Sequence, residues 1–579
     1  MRLYTRHRKK VLFLGTAFFL MFVILIVRLS YLMIFQSEYY LERAQDLHER
    51  ERNIKAARGN ILDTNGVVLA TNKTVCTISV IHSQIQDEDA VVKMLVDELE
   101  LDEAKVRKRV QKVSAIERIA TNIEKEKGDA IRSYDYPGVK VDEDYKRYYP
   151  FGNLASKVLG FTGSDNQGIL GLEAKYDASL AGAKGQILTT TDAWGIELKG
   201  VKENRQEPKA GNNLYISMDY NIQKYAQQLA ERVKEEKQAK HVSMMVMNPQ
   251  NGDILAMVNV PEYDLNQPYV VTDAQKALLG EEGADLPKME QLNRMWRNFC
   301  INDTYEPGSV FKMVTATAAV ETKSVSLEEH FTCPGYAVVA DRRIRCHKTT
   351  GHGTQTFAET VANSCNPAFI EWGRRVGTER FYQYMGKLGL LQRTGIDLAG
   401  EASTIIHKQE KVGEVELATM SFGQSFQITP LQMIRAAAAI VNGGNLVTPH
   451  FAVKMESPDG NEINEMEYSI QSGVIEPETS ETMRGILKQV VETGGGHKAY
   501  IEGFSIGGKT ATSQKLPRSS HKYIASFVGF APAEHPKVMA MCLIDEPQGV
   551  YYGGTIAAPV VKELFENILP YLEIYKEKE

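Results

Sequence analysis

The sequence has little excess charge of either sign and few cysteines and tryptophans for its length. Its 579 residues carry 67 Lys and Arg against 73 Asp and Glu, a formal charge of −6. That balance lacks the basic stripe that a nucleic-acid partner needs, so no nucleic acid is expected. No internal repeat or low-complexity tract appears, which sets aside solenoids, coiled-coil arrays and disordered tails. With 6 cysteines and 3 tryptophans in the whole chain, it is not a disulfide-dense small scaffold. The length exceeds one ordinary domain, and two or three are expected.

One long hydrophobic run is present. After the basic "MRLYTRHRKK" comes an apolar segment from Val11 to Phe35, interrupted by Arg28. It is long enough to cross a bilayer, with Arg28 snorkelling to the outer interface. The positive flank favours the cytoplasm, which places the rest of the chain outside. No small-x-small cleavage site follows, so an uncleaved single-pass anchor is expected.

Beyond the anchor, "ARGNILDTNGVVLATN" reads as strand, Asn-Gly turn, strand. Residues 86–130 are rich in Glu, Lys and Asp with spaced Val and Leu, and surface helices are expected there. "RQEPKAGNN" reads as a linker. From 213 a strand enters an amphipathic helix, and "HVSMMVMNPQNGDILAMVNVP" reads as two strands about a turn. Near the other end, "ASFVGFAPAEHPKVMAMCLIDEP" is a second hairpin and "IAAPVVKELFENILPYL" a closing helix. Hairpins at both ends of a long helical middle (305–500) imply an α/β (α+β) fold. One antiparallel sheet would draw strands from both ends, with helices packed on it.

"YEPGSVFKMVTATAAV" holds Ser309 and Lys312 three positions apart at the start of an apolar run. The spacing suits a nucleophile and its base, but it also suits a plain helix start, and "SSHK" at Ser519 to Lys522 repeats it. Serine acyl transfer also needs an oxyanion hole and groups that hold the substrate, and one set that supplies them follows Ser-x-x-Lys with Ser-Asp-Asn and then Lys-Thr-Gly. The literal matches mislead. "SDN" (Ser164, Asp165, Asn166) precedes Ser309, and "KTTG" at Lys348 lies in a loop. Degenerate matches fall in order instead. Ser364, Cys365 and Asn366 come next, then Lys509, Thr510, Ala511 and Thr512, just before the last hairpin.

With these motifs in order the chain resembles the class B penicillin-binding proteins over nearly its whole length. "RGNILDTNG", "RYYP" and "GILGLEAKYD" look like that family's non-catalytic pedestal, and "NRMWRNFCINDTYEPGSVFK" like the approach to its active-site serine. No glycosyltransferase-like segment precedes the pedestal, so the monofunctional type is expected. The resemblance implies a cytoplasmic tail (1–10), an anchor (11–35), a pedestal or dimerisation-like domain (36–212) and a transpeptidase domain (213–579) with a five-stranded antiparallel sheet. It implies a serine D,D-transpeptidase of the bacterial cell membrane. This enzyme would cross-link peptidoglycan stem peptides outside the membrane and be trapped by β-lactams, alongside a membrane glycosyltransferase, in division or sporulation. Other roles to weigh are a β-lactam sensor or β-lactamase, or mainly a scaffold for that glycosyltransferase.

By the same resemblance Ser309 is the nucleophile, also placed at the helix start, where the dipole favours developing negative charge. Lys312 is its base, made neutral by burial and by a nearby cation, Lys509. Ser364 relays a proton to the leaving amine, and Asn366 binds the substrate amide. Thr510 and Thr512 take the substrate carboxylate, and the N–H groups of Ser309 and Thr512 form the oxyanion hole. Ala511 stands where the family has glycine, and its methyl is expected to narrow the substrate channel.

Cys333 and Cys346 flank an apparent hairpin, and Cys365 lies within the second motif. Three readings stay open. The thiols are buried and unlinked; or Cys346 and Cys365 form a disulfide, as in some sporulation members; or Cys333, Cys346, Cys365 and His352 (alternatively His347) hold a structural Zn²⁺. No cofactor is required for the acyl chemistry itself.

Overall fold

The computed structural model describes residues 2–40, 49–114, 116–190 and 204–576. The chain divides into two compact units interleaved in sequence. One holds residues 1–57, 73–146 and 182–210; the other holds 58–72, 147–181 and 211–579. Segments on both sides of position 212 therefore share the second unit.

In the first unit, helix α1 (Arg2–Ser30) runs into a turn at Tyr31–Phe35. Residues 8–35 are long and apolar enough to cross a membrane, and their apolar side chains are exposed. The same unit contains a small sheet. The strand Val68–Val80, whose later part lies here, pairs antiparallel with Glu117–Glu124 and also pairs with Val139–Tyr148. Helices Glu88–Leu99, Glu103–Val110 and Lys125–Ser133 surround a core of Ile78, Val92, Leu95 and Val106. The helical expectation for 86–130 holds except at Glu117–Glu124. There "RIATNIE" mixes apolar and polar residues without regular alternation, and the segment forms an edge strand in which Ile119 is the buried residue.

The second unit is organised by five strands. β1 (His241–Met247) and β2 (Ile254–Val260) form the first hairpin. β3 (Gly507–Gln514), β4 (Tyr523–Ala531) and β5 (Val538–Asp545) come from the far end of the chain. The order β2-β1-β5-β4-β3 is antiparallel throughout. β1 and β5 are buried along almost their whole length, which explains their near-continuous hydrophobic runs. One face packs on α2 (Tyr220–Glu236) and the closing helix Ala558–Tyr571 through Val242, Met244, Ala540 and Leu564. The other face meets the helical middle through Met245, Met541 and Val528. β3 is the last strand, so one of its edges carries no partner strand.

α2 starts at Asp219, whose carboxylate accepts from the Asn221 and Ile222 amides, an N-cap. In the middle segment α3 (Lys312–Glu321) is buried on nearly all sides, as its Val, Ala and Thr run requires. α4 (Asn366–Val376) packs beside it.

A buried charge cluster braces this unit. Glu173 accepts from Arg58 Nε and Arg147 Nε, each at 2.6 Å, and Arg58 Nη1 also donates to Asp177 at 2.6 Å. The literal "SDN" lies in the turn beside it, where the Asn166 carbonyl accepts from Arg58. Its role there is structural.

Candidate active site

Gly308–Phe311 forms a single 3₁₀ turn that leads directly into α3. In that geometry positions i and i+3 eclipse, which brings Ser309 and Lys312 to one side. Ser309 lies inside the turn; the capping position is Pro307, with no side-chain cap. Ser309 thus sits in the first turn of the helical segment but does not cap it. Close backbone packing holds the turn. Gly308 has φ +57°, and a Cβ on Gly423 (φ +86°) would lie 2.1 Å from the Gly308 carbonyl oxygen. Glu306, just upstream, accepts from the Ser425 amide and pairs with Arg518.

Lys312 is fully buried. Its Nζ donates to the Ser364 carbonyl at 2.7 Å, to Ser364 Oγ at 3.1 Å and to Asn366 Oδ1 at 2.7 Å. These are all three donors of an ammonium, and every acceptor is neutral. Burial therefore dominates and pushes the Lys312 amine down to about 7, against a weak opposing pull from Cys365 and Cys346. Lys509 is also fully buried and held well below its ordinary value, first by burial and then by repulsion from the Lys312 charge; that repulsion is mutual, so the expected cation bears on both amines.

Ser364 and Asn366 owe their placement to the tight link between helix Phe357–Ala362 and α4. Ser364 adopts φ +50°, unusual for a residue with a side chain, and this directs both its carbonyl and its hydroxyl at Lys312. Asn366 Nδ2 donates to the Arg345 carbonyl at 3.3 Å, which fixes the amide's orientation.

β3 alternates. Lys509, Ala511 and Ser513 point inward and are buried, while Thr510 and Thr512 are half-buried on the opposite side. Ala511 is 3% exposed within the apolar core. Its methyl is buried on the strand face it shares with Lys509. Thr512 Oγ1 accepts from the Gly553 amide at 3.0 Å, and a Cβ on Gly553 would meet the Ala511 carbonyl oxygen at 2.1 Å.

The structure thus brings Lys312, Ser364, Asn366 and Lys509 together, with Ser309 one helical turn before Lys312. The sequence reading missed the supporting glycines Gly423 and Gly553 and the Glu306–Arg518 pair. "SFGQSFQ" and "YYGGT" carried the only signal, a glycine where backbones must approach closely.

Beside the second motif, the sulfurs of Cys333, Cys346 and Cys365 and a ring nitrogen of His352 lie within 4.8 Å of one another. Cys346 Sγ is 3.7 Å from His352 Nδ1 and 3.8 Å from His347 Nδ1. A tetrahedral Zn²⁺ with ~2.3 Å sulfur and ~2.0 Å nitrogen bonds needs donors about 3.5–3.8 Å apart. The residues therefore fit the ion with a small contraction. The six cysteine sulfurs are unlinked in this structure. A hydrogen bond between Cys346 and Cys365 pushes the first thiol down and the second up, so the two titrate as a pair.

Residues 242–566 match the penicillin binding protein transpeptidase domain, and residues 53–216 match the penicillin-binding protein dimerisation domain. The chain is 38% identical to stage V sporulation protein D of Bacillus subtilis, over 99% of this chain and 87% of that protein. It is 27% identical to a probable peptidoglycan D,D-transpeptidase PenA of Neisseria meningitidis, over 98% and 93%. Among solved structures, penicillin binding protein 2X of Streptococcus thermophilus superposes with a TM-score of 0.73 at 21% identity, covering 90% of this chain and 80% of that one. Penicillin binding protein 3 of Mycobacterium tuberculosis, complexed with aztreonam, gives 0.68 at 24% identity, covering 91% and 98%.

Proposed function

Because the chain belongs to the penicillin-binding protein transpeptidase family, we propose that its peptidoglycan D,D-transpeptidase activity runs through an acyl-enzyme on Ser309. The observation that carries this reading is Lys312. It is buried, bonded to Ser364 and Asn366, and poised near neutrality. A neutral Lys312 takes the Ser309 hydroxyl proton as the oxygen attacks the carbonyl of the penultimate D-alanine. The amides of Ser309 and Thr512 hold the oxyanion, the latter on the unpaired edge of β3. Ser364 relays the proton from Lys312 to the departing D-alanine amine, and Asn366 orients the donor peptide. Lys509, Thr510 and Thr512 receive the terminal carboxylate. The amine of a neighbouring stem peptide then attacks the ester, and the serine proton is restored. A β-lactam opened by Ser309 has no leaving group to lose and stays attached.

In this reading residues 11–35 anchor the chain in the bacterial membrane with the transpeptidase unit outside the cytoplasm, beside a membrane glycosyltransferase. The similarity to stage V sporulation protein D favours a role in sporulation. Cys333, Cys346, His352 and Cys365 would hold a structural Zn²⁺ that braces Ser364 and Asn366 and takes no part in the chemistry.

Mass spectrometry after penicillin treatment tests the acyl-enzyme. The adduct is expected on Ser309 and absent from Ser309→Ala, and an adduct on another residue would refute the assignment. Metal analysis before and after chelation tests the cluster. One zinc per chain supports it; no zinc together with a mass two units below the reduced value would replace it with a disulfide.

A further inference from the structure

We propose that the hairpin Tyr336–Arg345 and the turn after it form an anion-recognising rim for additional carboxylates of the peptide substrate, beyond the terminal one. This deepens the transpeptidase reading and rests on it. The chain is acidic overall, yet Arg342, Arg343, Arg345 and Lys348 fall within seven positions, against Asp341 alone. All four cations are exposed. Among the described residues, Arg342 lies 4.0 Å from Asp341, and no carboxylate comes within ion-pair range of Arg343, Arg345 or Lys348. Cations on neighbouring helices are paired, as Arg375 is with Glu329 and Glu371.

The hairpin is held rigidly. Tyr336 stands opposite Arg345, and Val338 opposite Arg343. Alternation puts these four on one face, while Ala337, Val339 and Ile344 pack against the core on the other. The Arg343 guanidinium lies 3.6 Å from the Tyr336 ring centroid, which pre-orients it. The Cys346 amide closes the base on the Gly335 carbonyl at 2.8 Å.

Position identifies the ligand. Asn366 donates to the Arg345 carbonyl while its Oδ1 accepts from Lys312. The rim is therefore two hydrogen bonds from the proposed base, beside the site that the peptide must reach. The Lys509–Thr512 strand is already assigned to the terminal carboxylate, so the rim is left for carboxylates elsewhere on the peptide. Guanidinium groups suit them by forked geometry.

The test uses the full-length protein and two peptides ending in D-alanyl-D-alanine, one with its upstream carboxyls free and one with them amidated. The readout is D-alanine release. At low salt the wild type should prefer the free-acid peptide on the order of tenfold in kcat/KM. The preference should fall to below about twofold in Arg343→Gln/Arg345→Gln/Lys348→Gln, and also near ~1 M salt, where screening shortens to ~3 Å. Arg343→Lys/Arg345→Lys should retain most of it. Fluorescent penicillin should acylate all forms alike, which certifies folding and Ser309 reactivity. Should the triple variant fail that check, Arg343→Gln alone carries the comparison. A preference unchanged in the variants, or absent from the wild type at low salt, overturns the rim. A wild type that penicillin does not acylate overturns the transpeptidase mechanism instead.

Discussion

Changing the pH acts on Ser309 through Lys312. Burial lowers its amine from 10.5 to about 7. At pH 7 an amine with the ordinary value is neutral in roughly 0.03% of molecules, whereas one at about 7 is neutral in roughly half. The site thus gains about three orders of magnitude in competent base. Acylation by a fluorescent penicillin should rise about tenfold per pH unit below about 7 and level off above it. The sign follows from chemistry: the base must be deprotonated, so acid silences it. The same burial costs stability. The folded form of Lys312 releases its proton more readily than the unfolded form, so this contribution makes the fold more stable as pH rises from about 7 toward 10.5. Lys312→Met should abolish acylation and raise stability at pH 7, with a ceiling of roughly 4 kcal/mol. Stopped-flow labelling across about pH 5.5–9 and denaturant titration read the two effects. A flat rate profile, or a rise with no plateau up to about pH 9, would refute the assignment of Lys312 as base.

Glu173→Gln leaves two buried guanidinium groups without their shared carboxylate, and denaturant unfolding should show a loss of about 3–5 kcal/mol. His450 donates from Nε2 to Asp253 at 2.9 Å and from Nδ1 to the Thr448 carbonyl at 2.8 Å. Burial opposes its charge, but these bonds prevail and raise its pKa. Its contribution is full below about pH 6.5 and is lost as pH rises through the folded value. Melting curves of wild type should show that loss, and Asp253→Asn should flatten it. Gly423→Ala would drive a methyl into the Gly308 carbonyl, and penicillin labelling of Ser309 should fall at least about tenfold, as expected when reacting groups are displaced by ~1 Å. Ala511→Gly should cost about 1 kcal/mol of thermal stability and leave the ratio of acylation rates for small and bulky β-lactams unchanged. A selective gain for the bulky drugs would show that the methyl narrows the substrate channel.

The two terminal hairpins, the closing helix and the apolar anchor were legible because each is a local pattern. Period-two alternation, an Asn-Gly turn or an uninterrupted apolar run needs no distant partner to be read. The edge strand Glu117–Glu124 was not, since it has no regular alternation and lies between charged helices. The motif residues were legible by order and spacing, and the misleading "SDN" at 164–166 was set aside by position alone.

By itself, then, the sequence determined the family, the segments that build the sheet and the residue types at the site. It could not say how far Lys312 is depressed, because a pKa depends on burial from every side. Nor could it say that Ala511 is buried on the Lys509 face, since one residue of register decides which face a strand residue takes. Only the tertiary structure decided that Ser309 lies within a 3₁₀ turn and that Ser364 is left-handed. It also decided that three sulfurs and one imidazole nitrogen converge. The two backbone conformations depend on the packing around them, and the convergence on how the hairpin folds back on the helix start, and local pattern reports neither.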